Sequence, residues 1–532
     1  MSMSSPASNF AAPSILTSIV ATIGPASDSP DMVKRLILGG VCVFRFNFSH
    51  GDVAAHARRL TTVRTVAKEM DVSIACLGDL QGPKIRVGKI PAGVGEAHAS
   101  GGGAIRVEPG QDVVFKRDID LAYLRPCLTQ GQAGGLEPVL PVTFQPLIGE
   151  VEPGHKVLIN DGAIRMLAVE SDSTKGELRC RVTVGGLISS SKGINLPNSE
   201  LSAPSITDRD IECVHWAVQN DMDFLALSFV RKAEDVEQLR AMLATIKVPG
   251  DDRGAWIPIV SKIEMPEAVK DLNRVVAASD AVMVARGDLG VEMDIAVVPV
   301  VQKRILAECA RQGKPCIVAT QMLETMIESP IPTRAEATDI ATAIFDGADA
   351  VMLSAETATG KHPALVVETM ARIIAATEAA MAECPTRREP PTQMAAAHAG
   401  TAALAHGAWQ MSRDLGAVAI ATWSEHGGTA RYLSQNRFTI PILAFSSDAR
   451  SCRQMSLLRG VTAVCQQPPG SGSLSDWNRA VDEYLLARGM ALHGDAIILV
   501  AGRPLGQAKR TNTVAIHRVG EDTGYTSHTD RR

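Results

Sequence analysis

The chain has 532 residues, of which 45% are hydrophobic, 21% charged and 4% aromatic. That apolar content excludes global disorder and collagen-like classes, and the length suits three or four domains of roughly 150 residues, or one large barrel with attachments. Lys+Arg 53 against Asp+Glu 58 leaves a net charge of -5 with no basic block, which excludes the cationic stripe that a nucleic-acid partner needs.

Short apolar strands alternate with helical patterns from about residue 15. Ser18–Gly24 reads as a strand, Asp31–Gly39 as a helix, Val41–Phe48 as a strand, then a helix to about Met70 and a strand over Ser73–Leu80. After an interruption the rhythm returns with FLALSF, IPIVSKIE, AVMVARGD, PCIVATQM and AVMLSAE. Near-continuous β-branched strands separated by helices predict a parallel sheet covered on both faces, and eight of them suit a closed (β/α)₈ barrel over residues 15–82 and 184–382. No G-x-G-x-x-G follows the first strand, which weakens the open doubly wound alternative. The interruption, 83–183, is rich in Gly and Pro with short alternating runs (AIRVEP, QDVVF, HKVLI, AIRMLAV, LRCRVTV), and predicts an inserted small β-barrel domain over the barrel mouth. After a linker-like CPTRREPPTQ, residues 383–532 predict a separate C-terminal α/β domain.

Ten cysteines without a C-x-x-C pair read as ordinary thiols. No apolar run reaches the roughly 18 residues of a membrane span. The first 27 residues carry no charged side chain, so no secretory or transit leader is expected. The expectation is a cytoplasmic protein with a disordered tail over residues 1–14.

Polar residues interrupt the strand ends. In VCVFRFNFSHG, Arg45, Asn47 and Ser49 alternate with Phe44, Phe46 and Phe48, so period two puts the polar three on one face. Asp79 ends the third strand, Lys262 and Glu264 another, then Arg286 with Asp288, Thr320, and Ser354 with Glu356. Any one of these reads as a solvated strand end. Together they predict one Lys, two Arg and four carboxylates at one mouth, a site for an anion with a divalent cation. Glu264 and Asp288 form the natural magnesium pair, although Glu264 neutralising Lys262 is an open alternative. Gln81-Gly-Pro-Lys-Ile-Arg86 leads into the insertion, and Ser189-Ser-Ser-Lys192-Gly leads out, the latter reading equally as a plain hinge.

VATIGPAS, RFNFSHG, GPKIR, KGINLP, SKIE, VARGDLG, ATQMLETM, PTRAEATDIA and DGADAVMLSAETA match in order the signatures of the pyruvate kinase family, which the chain resembles from about Ser18 to Val519. The resemblance implies phosphoryl transfer from phosphoenolpyruvate to ADP in glycolysis, giving pyruvate and ATP, by a homotetramer whose inserted domain is a lid. It implies that Glu264 and Asp288 bind Mg²⁺ (or Mn²⁺), that Lys262 and Arg45 act on the phosphoryl group, and that Gly287, Asp288 and Thr320 take the substrate carboxylate. Asn47, His50, Arg86 and Lys192 map onto the nucleotide side. The family's K⁺ site maps to Asn47, Ser49, Asp79 and Leu80. Leu80, Gln81 and Lys84 resemble its potassium-independent branch, with the Lys84 ammonium replacing the ion. The C-terminal domain is expected to bind a phosphorylated effector through Ser424, Thr429 and Arg503, with Lys509 and Arg510 offsetting Glu425. A vestigial turn is the other reading of that loop. A magnesium-dependent aldolase or lyase acting on pyruvate, and a non-catalytic paralogue, are the alternatives. Arg86 and Lys192 on the inserted domain favour nucleotide transfer.

Overall fold

Eight parallel strands, Ser18–Thr22, Val41–Asn47, Ala75–Asp79, Phe224–Leu227, Ile259–Ile263, Ala281–Ala285, Cys316–Ala319 and Ala350–Leu353, close into a barrel in which Ser18 pairs with Ala350. The computed structural model describes residues 15–521 apart from 98–101, 128–134, 198, 200, 249–254, 384–397, 470–473, 503–504 and 506–510. The expected tail over 1–14, the linker-like stretch 384–393, and Arg503, Lys509 and Arg510 lie outside the described residues.

Alternation along the strands makes the barrel two-layered. Val20, Val43, Leu77, Val260, Met283 and Ile317 fill its interior, while Ile19, Phe44, Phe46, Ile263 and Val318 pack outward against the helices. The inner series therefore reaches the C-terminal rim as Thr22, Arg45, Asp79 and Lys262, two residues beyond the last apolar layer. This is how four unrelated strand ends come to share one mouth.

The insertion between the third and fourth strands holds a seven-stranded and a three-stranded sheet around a core of its own, with Phe115, Leu140, Ile159, Leu178 and Ile188 buried. Its extent differs from the sequence expectation of 83–183. Gly186–Ser189 pairs with Gly103–Val107, and Ile194–Asn195 pairs with Lys156–Ile159, so the inserted sheets run to Asn195. The polar run Ser189–Lys192 hid this, because it forms a turn, with Ser191 at φ +64°, between two residues that the insertion's core buries, Ile188 and Ile194.

The C-terminal domain carries a five-stranded sheet in the order Val461–Cys465, Ile442–Ser446, Ala419–Trp423, Ala496–Ala501, Thr513–Arg518, with only the last strand antiparallel. It docks on the barrel floor, where Leu457 joins the interior cluster. Beside it, the fully buried Asp223 carboxylate accepts from Arg64 at 2.8 Å, from Arg453 of helix Ala449–Met455 at 2.7 Å, and from the Cys76 N–H at 2.7 Å. Burial pushes the Asp223 carboxyl up, and the two guanidiniums oppose it. No helix among the described residues is long and apolar enough to cross a membrane.

Asp223→Ala removes the acceptor of the Cys76 N–H and of Arg453 Nε and one partner of Arg64, leaving the guanidiniums with Asp221 and the Ile74 carbonyl, a loss of about 3 kcal/mol for breaking a buried pair. The expected outcome is a clearly lowered unfolding temperature by calorimetry. An unchanged one would show that the junction is not held by this carboxylate.

Candidate active site

The rim residues form one connected cluster. Arg45 Nε donates to Asp79 Oδ2 at 2.6 Å and Nη1 to Thr22 Oγ1 at 3.1 Å. Lys262 Nζ donates to Ser228 Oγ at 2.8 Å and lies 2.7 Å from Glu264 Oε1 and 3.5 Å from Asp79 Oδ1. Ser228 passes a hydrogen bond to the Leu80 carbonyl at 2.7 Å, and the Phe229 N–H donates to Glu264 Oε2 at 2.6 Å. Phe229 holds φ +53°, an uncommon conformation for a bulky side chain and a mark of a constrained site. Ser228 and Phe229 were not singled out in the sequence, although FLALS ends in a polar residue as the other strands do.

Two carboxylates flank the same ammonium and are shifted in opposite directions. Burial pushes Asp79 up, but Lys262 and Arg45 override it and hold the carboxyl below its ordinary value. Burial also pushes Glu264 up; Lys262 opposes, Asp288 adds to the rise, and the result is a raised carboxyl. Glu264 Oε1 pairs with the Lys262 ammonium at 2.7 Å, and Oε2 takes the Phe229 N–H. Glu264 and the half-buried Asp288 are thus a carboxylate pair short of positive charge, beside the one cation they share. Among the described residues no three His, Cys, Asp or Glu side chains form a preformed metal cage. Two hard carboxylates with open space fit magnesium, which takes few protein ligands and fills its shell with water and substrate oxygens.

Arg286 does not join this mouth, contrary to the strand-end reading. The strand stops at Ala285, whose side chain continues the inner series, so Arg286 faces outward; it bonds the carbonyls of Ala319 (3.3 Å) and Thr320 (2.7 Å) and pairs with Asp339 at 2.6 Å. Glu356 is likewise buried as a loop tie, accepting from the N–H groups of Ser354 and Leu323. Thr320, at φ +68°, accepts from the Gly287 N–H at 2.8 Å, so these two expected substrate-binding donors are neighbours.

Above the cluster opens a cavity of about 560 Å³ between barrel and insertion, lined by Arg45, Lys262, Glu264 and Asp288 below and by Arg86 and Lys192 above. Asn47, Ser49, His50, Leu80 and Lys84 also line it. Partial burial, then Arg86, Arg45 and Lys84, lower the His50 pKa, favouring the neutral ring. Arg86 Nη1 donates to the Ser191 carbonyl at 2.9 Å. Asn47 Oδ1 accepts from the Ser49 N–H, and the Leu80 carbonyl is taken by Ser228. The Lys84 stem lies over Gly193, where a Cβ would sit 3.1 Å from Lys84 Cε. In the C-terminal loop, Ser424 Oγ accepts from the Ala430 N–H, Thr429 bonds Thr511, and Glu425 is held by Trp423 and Ser447.

A further polar tie fastens the insertion to the site. Asn195 Nδ2 donates to Glu292 Oε1 at 2.8 Å, joining the last strand of the insertion to the helix Arg286–Glu292 that carries Asp288. Glu292 is 6% exposed. Burial, reinforced by Glu267, Asp288 and Glu264 and opposed by the Asn195 bond, pushes its carboxyl up to about 7.

Known proteins resemble the chain across both regions. The family model "Pyruvate kinase, barrel domain" matches residues 15–367, and "Pyruvate kinase, alpha/beta domain" matches 402–517. A pyruvate kinase of Mycobacterium tuberculosis is 37% identical over 506 residues, covering 95% of this chain and 98% of that one. Pyruvate kinase 2 of Synechocystis is 37% identical, covering 94% and 79%. The crystal structure of a pyruvate kinase from Cryptosporidium parvum aligns with a TM-score of 0.80 at 31% identity, over 95% of this chain and 96% of that one.

An acid whose folded pKa is raised binds extra protons in the native state, so its contribution to stability falls as pH rises from its ordinary value towards about 7. Glu292→Gln keeps an acceptor for Asn195 and removes that charge. In metal-free protein the variant should gain on the wild type between pH 5 and pH 8, by about 2–3 kcal/mol at most. The check is the difference in unfolding temperature at the two pH values; a pH-independent difference would mean that Glu292 is not held charged against its surroundings.

Proposed function

Because this chain belongs to the pyruvate kinase family, we propose a residue-by-residue assignment of the reaction it catalyses, transfer of the phosphoryl group of phosphoenolpyruvate to ADP to give pyruvate and ATP. The observation that carries the assignment is the buried Lys262, held between Asp79 and Glu264 beneath a cavity whose roof is cationic.

Phosphoryl transfer asks a protein for positioning and charge neutralisation more than for covalent chemistry. Arg45 and Lys262 grip the phosphoryl group from the barrel side, and Lys262 also stabilises the enolate left behind. Glu264 and Asp288 would hold Mg²⁺ or Mn²⁺, which supplies neutralising charge at substrate oxygens. The N–H groups of Gly287 and Asp288 and the Thr320 hydroxyl receive the substrate carboxylate once Gly287 releases Thr320 and the Thr320 hydroxyl leaves the Ala319 carbonyl. The proton that converts enolate to pyruvate comes from solvent, relayed through the Thr320 hydroxyl, which takes a proton as it gives one, or through a water chain near Ser354 and Glu356. Arg86 and Lys192 from the roof, with neutral His50 and Asn47, orient ADP in line with the phosphoryl group. The same reading makes the protein a cytoplasmic, glycolytic homotetramer with a phosphorylated effector near Ser424 and Thr429.

Potassium is not required in this assignment. Of the family's ion ligands, Asp79 is committed to Arg45 and Lys262, and the Leu80 carbonyl to Ser228. Lys84 brings an ammonium to the same cavity. A tethered ammonium there supplies the field of a monovalent ion and repels a second one.

Lys262→Met should lower kcat about 10³-fold in a folded protein, since it removes a preorganised cation at the migrating group. A coupled assay of pyruvate formation with and without ADP reads it, and near-wild-type turnover would refute the assignment. Turnover without potassium should stay within a few-fold of that in about 100 mM KCl, against an ionic-strength-matched tetramethylammonium control. Lys84→Glu should create potassium dependence; wild-type activity that collapses without the ion would overturn the role given to Lys84.

A further inference from the structure

Two cysteines of the C-terminal domain, Cys452 and Cys465, meet at one backbone carbonyl. In the parallel pair formed by Ile442–Ser446 and Val461–Cys465, Ser446 lies opposite Cys465. The Ser446 carbonyl accepts from the Gln466 N–H at 2.9 Å and from the thiol of Cys452, on helix Ala449–Met455, at 3.6 Å. The side-chain faces agree with this. Ala463 packs in the apolar cluster that buries Cys452, while Val464 packs in the cluster on the other face of the sheet. Strand alternation therefore turns Cys465, two positions after Ala463, towards Cys452. Burial, and then the neighbouring Cys465, push the Cys452 thiol up to about 12.

The two thiols differ in access. Cys452 is fully buried, and Cys465 is exposed on the edge strand. Cys309 and Cys316 also act on each other, but both lie inside the barrel's apolar core, out of reach of a dissolved oxidant. A thiol that reacts with an oxidant must be exposed, whereas the thiol that resolves it needs only to be in contact. Cys465 and Cys452 meet these two conditions in turn.

We propose that Cys452 and Cys465 are a reversible redox site, which hydrogen peroxide closes into a disulfide within the chain. The Cys465 sulfur attacks one peroxide oxygen and the O–O bond breaks. Cys465 becomes a sulfenic acid, and the other oxygen leaves with the thiol's proton as water. The Cys452 sulfur then attacks the Cys465 sulfur, the S–O bond breaks, and the hydroxide leaves with the Cys452 proton as a second water. Two thiols lose two electrons in all, and one peroxide is reduced to two waters. The new bond ties helix Ala449–Met455 to the edge strand. That helix carries Arg453, which reaches Asp223 at the barrel floor, and it leads to Leu457, which enters the barrel interior. Oxidation thus tightens the element through which the C-terminal domain docks.

The test treats the reduced full chain with hydrogen peroxide, alkylates the remaining thiols, and digests with trypsin, which puts the two cysteines in separate peptides, 451–453 and 460–479. These peptides should appear joined, short of two hydrogens, and should part again after dithiothreitol. The oxidised chain should migrate as a single copy in a denaturing gel without reductant. Cys465→Ser, a small change at an exposed position, should leave Cys452 fully alkylatable after peroxide and denaturation. The oxidised wild type should also unfold at a higher temperature than the reduced protein, because a closed loop restricts the unfolded chain, and Cys465→Ser should lose that difference. Sulfinic or sulfonic acid at Cys465 beside a free Cys452 thiol, or a disulfide between two chains, would overturn the pairing. A complete crosslink with no thermal rise would overturn the tightening of the docking helix.

Discussion

A buried ammonium cannot exist in a barrel mouth without carboxylates, and Lys262 sets that requirement for everything around it. Asp79 and Glu264 stand on either side, and Asp288 contributes at longer range. Arg45 shares Asp79, so that carboxylate is fully compensated, while Glu264 is left facing Asp288. Three carboxylates therefore face two cations, with the imbalance localised at Glu264 and Asp288. The same asymmetry separates the shifts of two chemically similar groups and marks where a divalent cation belongs.

The cationic roof answers the rest of the charge problem. Arg86 and Lys192 sit on the insertion, not on the barrel, so the cavity they share with Arg45 and Lys262 has cations on both sides. Among the described residues several polar links join them. The Gln81 and Gly82 N–H groups bond Asp210 on the incoming linker, Arg231 holds the carbonyls of Leu201 and Ala203 on the outgoing one, and Asn195 meets Glu292. Each side keeps a separate apolar core. The floor is different. There Leu457 enters the barrel core and Asp223 is shared across the boundary, so barrel and C-terminal domain pack as one interior.

Much of the barrel and part of the site were legible in the chain. Strand faces follow from alternation, a local rule, so Arg45, Asn47, Lys262 and Glu264 were placed on the inner face from their spacing alone. The rule fails where the strand ends. Arg286 follows Ala285 by one position and so falls on the outer face, and Asp288 reaches the mouth from the first turn of a helix, not from the strand. The reach of the insertion to Asn195 was hidden for a related reason. The two apolar residues that anchor its last strands, Ile188 and Ile194, are separated by a polar turn that reads as a linker.

The sequence by itself determined the order of strands, the face taken by polar residues within them, and the family to which its motifs belong, because these depend on neighbours two to four positions away. Only the tertiary structure decided which charges meet. Arg45 and Asp79 are 34 positions apart, Ser228 and Asp79 149, Asn195 and Glu292 97, and Arg453 and Asp223 230. Coulombic and desolvation energies act through space and fall with distance across a low-dielectric interior, whatever the path of the chain. The raised carboxyls of Glu264 and Glu292 follow from that closeness, to which no local pattern in the sequence corresponds.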